Sequence, residues 1–412
     1  MNRYIKLLFS VLTFTLAVFV FGVFSFAAEE TAFEKITSGS GILSVSHRGN
    51  TAVYPENSLE AVKSAEETGA DMISVSVGKT ADGVLVLCDT EVPLSEISNG
   101  KAANVGELTF SDLSALRLYG NDGKLTDCKF ASLEEAVNSL EKSFLILDNA
   151  WDIRDEIYEA VKKLGKENRI ILRTDVSSKS IVEWTKANPD VFVIGVYKAN
   201  IVFNAASHFK RLSENGQPLV QYQNKNYFNV SFQSAVTKLF SGKNGTGALV
   251  PMYAPDRCGQ RDDNSVGWDE MIERGFCAVE TNAIESLVDY IVSREKAREN
   301  LLSLLERAES TDTALFSSVS VRNFRTALNG AQKVIKNTRS SLGETEKAFS
   351  LLNESMNNLT FHASGDIQKG SLNVTAGKVI AAVFVGAALL AGEIYVYKMH
   401  IPGRKKEKGK TH

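Results

Sequence analysis

Ser44-Val45-Ser46-His47-Arg48-Gly49, followed five residues later by Pro55-Glu56-Asn57, joins a strand-like run at 43–46 to a helical run at 59–68. The same alternation continues outward to about residue 292. Strand candidates lie at 72–77, 84–88, 144–148, 170–173, 191–196, 219–222, 248–252 and 278–281. Helical stretches such as 133–140 and 153–164 fall between them. Several of the strand candidates are nearly all apolar, as strands buried on both faces should be. Strands alternating with helices in this way predict an α/β fold, a parallel sheet closed by helices. Asp82-Gly83 is the local exception and reads as a hairpin turn between two strands.

The chain has 412 residues, of which 44% are hydrophobic, so it has room for one domain of about 250 residues plus accessories. A net charge of -3 gives no basic face for nucleic acid. Arg3 and Lys6 precede an apolar run over 7–26, and Ser25-Phe26-Ala27 has the small residues of a cleavage site. Residues 1–28 are expected to be a signal peptide or, because the run is long, an uncleaved N-terminal anchor. A polar linker spans 29–41.

Beyond about Arg294 the strands give way to helical periodicity. Phe324, Leu328, Ala331 and Ile335 share one face, as do Phe349, Leu352, Met356 and Leu359. Leu301, Leu302, Leu304 and Leu305 form a stripe on the segment before them. A small all-α bundle or stalk over 294–361 is expected, then a linker over 362–377. Residues 379–397 are apolar apart from Gly and Glu393, and Lys398, Arg404, Lys405, Lys406, Lys408 and Lys410 follow. That is the length of a transmembrane helix, placed at 378–398, with a basic cytoplasmic tail at 399–412. Glu393 lies near the cytoplasmic end and can snorkel. Ala382/Gly386 and Ala388/Gly392 carry the small-xxx-small spacing of weak self-association. The expected location is the cell membrane, single-pass, with the body extracytoplasmic. Cys88, Cys128, Cys258 and Cys277 allow two disulfides in three connectivities, or free buried thiols.

The His47-Arg48-Gly49 and Pro55-Glu56-Asn57 triplets resemble those of the glycerophosphodiester phosphodiesterase family. Asp82-Gly83, Ser98-Asn99-Gly100, 108–113, 131–136 and Thr281-Asn282 extend the likeness. The family fold is a distorted (β/α)8 barrel of the TIM type, which the resemblance implies for 42–292, with chemistry at the C-terminal strand ends. It implies that His47 is an acid/base catalyst, that Arg48 grips phosphate, and that Glu56 and Asn57 brace the first loop. The family's Glu-x-Asp metal ligands correspond to Ser74 and Ser76 here, and its second catalytic His to Cys88. Its third metal carboxylate corresponds to Asp148, and the Lys two residues later to Ala150. Serine hydroxyls are poor ligands for a hard cation. The 294–361 segment resembles helical repeats of Gram-positive surface proteins, which act as spacers or sugar-binding accessories.

These readings predict a membrane-anchored family member with impaired or lost hydrolysis and no cofactor. Its pocket would take an anionic or polyol small molecule such as a glycerophosphodiester. The first alternative is an active phosphoric diester hydrolase of lipid metabolism. It would use Ca²⁺ or Mg²⁺ in a rearranged site of His47, Asp148, Glu56 and Asp89. The second is a structural cell-surface module. Convergence of Asp148, Glu56 and Asp89 on one point separates the enzyme reading from the others.

Overall fold

A computed structural model describes residues 41–101, 104–197, 202–217, 219–222, 250–253, 263–276 and 278–361. Both apolar runs expected to meet the membrane, and Cys258 and Cys277, lie outside them. Among the described residues no helix is long and apolar enough to cross a membrane.

Strand β1 (Leu43–His47) is followed by helix α1 (Leu59–Thr68). Ser58 caps α1 by accepting from the Ala61 N–H, and Gly69 ends it at φ 101°, a left-handed conformation that glycine adopts without steric cost. Strand β2 (Met72–Lys79) turns back at Asp82-Gly83 into the short antiparallel β3 (Leu85–Leu87). The remaining barrel strands are β6 (Phe144–Asp148), β7 (Ile170–Thr174), β8 (Phe192–Tyr197), β9 (Leu219–Tyr222), β10 (Val250–Tyr253) and β11 (Ala278–Thr281). Every neighbouring pair in the ring β1-β2-β6-β7-β8-β9-β10-β11 is parallel, and β11 returns to β1. The described strands therefore close on themselves as the alternation predicts. Helices α2 (Leu133–Ser139), α3 (Arg154–Lys163), α4 (Ser178–Ala187), α5 (Val202–Ser213) and α6 (Ser265–Glu273) connect them.

The core explains the apolar strands. Val45, Met72, Ile73, Val75, Leu145, Ile146, Leu147, Ile171 and Val193 are fully buried, on both faces of their strands. A satellite cluster of Val86, Cys88, Leu94, Val105, Leu113, Leu118, Cys128 and Phe130 fills an excursion between β3 and α2. It carries a hairpin, β4 (Arg117–Tyr119) and β5 (Leu125–Lys129), that hydropathy does not announce. Only Cys128 of β5 is buried, so the strand has no apolar face to read. Cys88 and Cys128 are both free thiols.

The composition break near Arg294 falls inside one helix, α7 (Ile284–Glu309). Its first half buries Ile284, Leu287 and Tyr290 in the barrel core, and its second half buries Leu301, Leu304 and Leu305. Leu302, expected in the same stripe, is 45% exposed, because 100° per residue carries it off the buried face. Helices α8 (Ser318–Lys336) and α9 (Leu342–Asn357) follow, burying Phe324 and Ala331 in the first and Ala348 and Leu352 in the second. The described residues up to Asp312 together with Arg322–Asn358 form one compact unit. Thr313–Val321 and the described residues 359–361 group separately, with Phe316 stacked on Phe361 at 4.8 Å between ring centroids.

Candidate functional site

Strand register sets the site. His47 pairs with Ser74, Ser76 with Asp148, and Val45 with Glu280. Partners in parallel register face the same way, and residues two apart share a face. His47, Ser74, Ser76, Asp148 and Glu280 are thus brought to one interior, near the C-terminal ends of their strands. The hydrogen bond from Ser74 Oγ to Glu280 Oε1, 2.7 Å long, spans that interior.

Two arginines divide the acidic groups. Arg173, on β7, is 4% exposed. Its Nε donates to Asp148 Oδ1 at 2.6 Å and its Nη2 to Asp148 Oδ2 at 2.5 Å. Nη1 donates to Glu280 Oε2 at 2.6 Å and Gln221 Oε1 at 3.2 Å, and Nη2 to Glu280 Oε1 at 3.0 Å. A guanidinium has five N–H donors, and here all five are used on protein acceptors. Burial alone would push its pKa down. The carboxylates of Asp148 and Glu280 more than reverse that and hold it above the ordinary value. Removing Arg173 would leave two carboxylates buried without a counter-charge, a change that costs about 3–5 kcal/mol.

Arg48 is held by the other pair. Its Nη1 donates to both oxygens of Glu56 at 2.8 Å, and its Nη2 to Asp89 Oδ2 at 2.8 Å. Burial opposes its charge, and Glu56, Asp89 and Asp148 restore it, leaving the pKa raised. The loop that presents Arg48 is left-handed at Arg48 (φ 59°) and Gly49 (φ 86°), and Asn57 and Asn149 share that conformation. The Arg48 N–H donates to Ser74 Oγ at 3.3 Å, and the Asn57 side chain accepts from the Ser76 N–H at 2.9 Å. Asn57 therefore braces the first loop against β2, and Glu56 does so through Arg48. His47 Nδ1 lies 3.0 Å from Asn282 Oδ1. With the amide oxygen facing the ring, Nδ1 is the nitrogen that donates, and the amide orients the imidazole without adding charge.

Cys88 does not join this interior. It follows β3, donates its N–H to the Ser76 carbonyl, and packs in the satellite cluster. Burial, followed by Asp89 and Glu56, pushes its thiol up to about 12. The group is a thiol at neutral pH, and thiols are weak nucleophiles compared with thiolates. It lines a cavity of about 450 Å³ with Glu56, Asn57, Asp89, Tyr119 and Phe130. A second cavity of about 410 Å³ opens over Asp148, Asn149, Ala150, Trp151 and Arg173.

A divalent cation, which the family resemblance raises, needs several oxygens converging at about 2.5 Å. The carboxylates present do not offer that. Glu56 and Asp89 are turned to Arg48, while Asp148 and Glu280 are turned to Arg173. Among the described residues no group of three or more His, Cys, Asp or Glu side chains is placed to hold a metal ion. The described residues do not fit the cation, and Asp148, Glu56 and Asp89 do not converge.

Sequence reasoning singled out His47, Arg48, Ser74, Ser76 and Asp148, and missed Arg173 and Glu280. The signal was one charged residue in each of two apolar strands, Ile170-Ile171-Leu172-Arg173 and Ala278-Val279-Glu280. Only the closed ring brings the two together.

Residues 47–206 match the model of the glycerophosphoryl diester phosphodiesterase family. The uncharacterized protein YqiK of Bacillus subtilis is 31% identical over 137 residues, 31% of this chain and 56% of that protein. A glycerophosphodiester phosphodiesterase of Caldanaerobacter subterraneus is 24% identical over 258 residues, 60% of this chain and 97% of that protein. The chain thus spans about half the length of the first of these relatives and nearly all of the second. A crystal structure of a glycerophosphoryl diester phosphodiesterase from Parabacteroides distasonis shares the fold, with a TM-score of 0.51 and 20% identity over 64% of this chain and 92% of that one. The first part of the barrel, residues 47–206, thus resembles the glycerophosphoryl diester phosphodiesterase family, and the barrel as a whole shares the fold of the Parabacteroides distasonis structure.

Proposed function

We propose that the protein is a membrane-tethered, extracytoplasmic member of the family whose barrel binds a small polar ligand and hydrolyses diesters poorly or not at all. The observation that carries this reading is the division of the mouth carboxylates between Arg48 and Arg173, which among the described residues leaves no open set of oxygens for a divalent cation. Without such a cation, the charge that develops on a phosphodiester in the transition state loses its Lewis acid. Ser74 and Ser76, standing at the family's Glu-x-Asp positions, supply no carboxylate. Cys88, standing at the position of the second imidazole, is held as a thiol.

His47 and Arg48 remain at the mouth as hydrogen-bonding groups. Arg48 Nε and Gln221 Nε2 are buried donors without a protein acceptor among the described residues. Buried polar groups normally have partners, so a ligand with acceptor oxygens suits them. Two guanidiniums against four carboxylates favour a polyol head over a dianionic phosphate. The apolar run at 379–397 and its basic flank support the tether.

The test is hydrolysis of glycerophosphodiesters by the purified full-length protein with Ca²⁺ or Mg²⁺. Turnover far below the median enzyme rate of about ten per second is expected. Turnover near that rate, abolished by His47→Ala, would restore the rearranged-site hydrolase.

A further inference from the structure

The carboxylates at the barrel mouth are not merely too few for a metal, because two of them already hold a cation. We infer that Arg173 is a resident counter-ion that locks the Asp148–Glu280 pair and shuts the barrel mouth to divalent metal. This deepens the functional reading above and rests on it for its setting, but its readout is cation binding and not turnover.

Three observations carry the inference. The Asp148 and Glu280 side chains face each other across the guanidinium, which forks onto both oxygens of each. A planar guanidinium is built for such bidentate recognition, and the bonds are charge-assisted. Each of its donors has an acceptor, so Arg173 has no N–H left with which to grip a ligand phosphate. Finally, the cluster is buried. Arg173 is 4% exposed and Glu280 0%, and Ser74 Oγ closes onto Glu280 from β2. An entering dication would have to displace a like charge that cannot swing out to water without leaving a buried carboxylate pair behind.

The same geometry gives Ser74 a positioning role. Its hydroxyl receives the Arg48 N–H and donates to Glu280, so one small side chain ties the first loop to the Arg173 cluster. A glutamate at 74 would bring a third carboxylate to a group that a single guanidinium already balances in part.

Calorimetric titration of the full-length protein in detergent with CaCl₂, and separately with MnCl₂, tests the lock. Wild type should show no saturable site up to about 1 mM, the range of weak extracellular calcium modules. Arg173→Gln should gain a site saturating below that range, at least about tenfold tighter than any wild-type binding, and adding Asp148→Asn should remove it. Arg173→Lys, which keeps the charge, should stay as blind to Ca²⁺ as wild type. Saturable binding by wild type that Asp148→Asn abolishes would overturn the inference. So would a folded Arg173→Gln protein that binds no cation.

If Arg173→Gln does not fold alone, Ca²⁺ should restore its circular dichroism signal. The neutral variant Arg173→Gln/Asp148→Asn/Glu280→Gln should then fold without Ca²⁺. A neutral variant as poorly folded as the single one would show that Arg173 acts by packing and not as a counter-charge. Hydrolysis by wild-type protein that binds no cation would overturn the functional reading and leave the lock standing.

Discussion

Gly49 shows how tightly a single position is constrained at the mouth. It sits at φ 86°, and a Cβ there would lie 2.7 Å from the backbone carbon and Cβ of Ala61 in α1. Backbone cannot retreat as the end of a flexible side chain can. Gly49→Ala should therefore destabilise the full-length protein by about 2 kcal/mol or more, combining a left-handed conformation with a clash. A denaturant titration followed by Trp fluorescence reads this directly, and an unchanged midpoint would show that the loop is free to rearrange. Arg48 and Asn57 are also left-handed without being glycine. Each is held there by its bonds, Arg48 through Glu56 and Asp89, and Asn57 through the Ser76 N–H.

Among the elements, the joint between α1 and β6 is the clearest case of charge doing structural work. Glu66, in the last turn of α1, accepts the backbone N–H groups of Glu141, Lys142 and Ser143 in the turn that leads into β6. Burial pushes its pKa up, and the Ser143, Lys142 and Glu141 N–H groups more than reverse this, leaving it below the ordinary 4.5. A depressed folded pKa means stabilisation that is complete above the unfolded value and lost as pH falls through the lower folded one. Glu66→Gln should cost about 1 kcal/mol at neutral pH, after discounting for solvent screening of a half-exposed group. The difference from wild type should shrink in acid. Urea midpoints at neutral pH and at about pH 3 measure it, and a difference independent of pH would place the effect in packing.

At the scale of the whole molecule, the barrel and the helices that follow it share structure. Arg294 of α7 is fully buried and donates to the carbonyls of Ser340 at 2.6 Å and Thr338, fixing the turn before α9. Ser341, the cap of α9, donates to Glu273 of α6 at 3.0 Å, and the Gly343 N–H donates to Asp269 of the same helix at 3.1 Å. The start of α9 is therefore bonded to a barrel helix. With the membrane run at 379–397 and the basic tail after it, this unit is proposed to stand outside the cell. Protease added to intact cells should remove the barrel and spare a tag at His412. Loss of the tag with the barrel intact would reverse the orientation.

The sequence by itself determined the barrel strands. Each buried strand is an apolar run bounded by polar turns, a local pattern that survives without knowledge of neighbours. Phe144–Asp148, Leu219–Tyr222 and Ala278–Thr281 fall where hydropathy puts them. The first loop was legible for the same reason, since His47, Arg48, Gly49, Glu56 and Asn57 lie within a few residues of one another. The β4–β5 hairpin was not, because an exposed strand carries no apolar alternation. Nor was the fate of the acidic groups. Arg173 lies 25 residues from Asp148 and 107 from Glu280, and neither distance along the chain hints at contact. Electrostatic pairing acts through space, so only closure of the ring decided that Glu280 shares the guanidinium of Arg173 with Asp148.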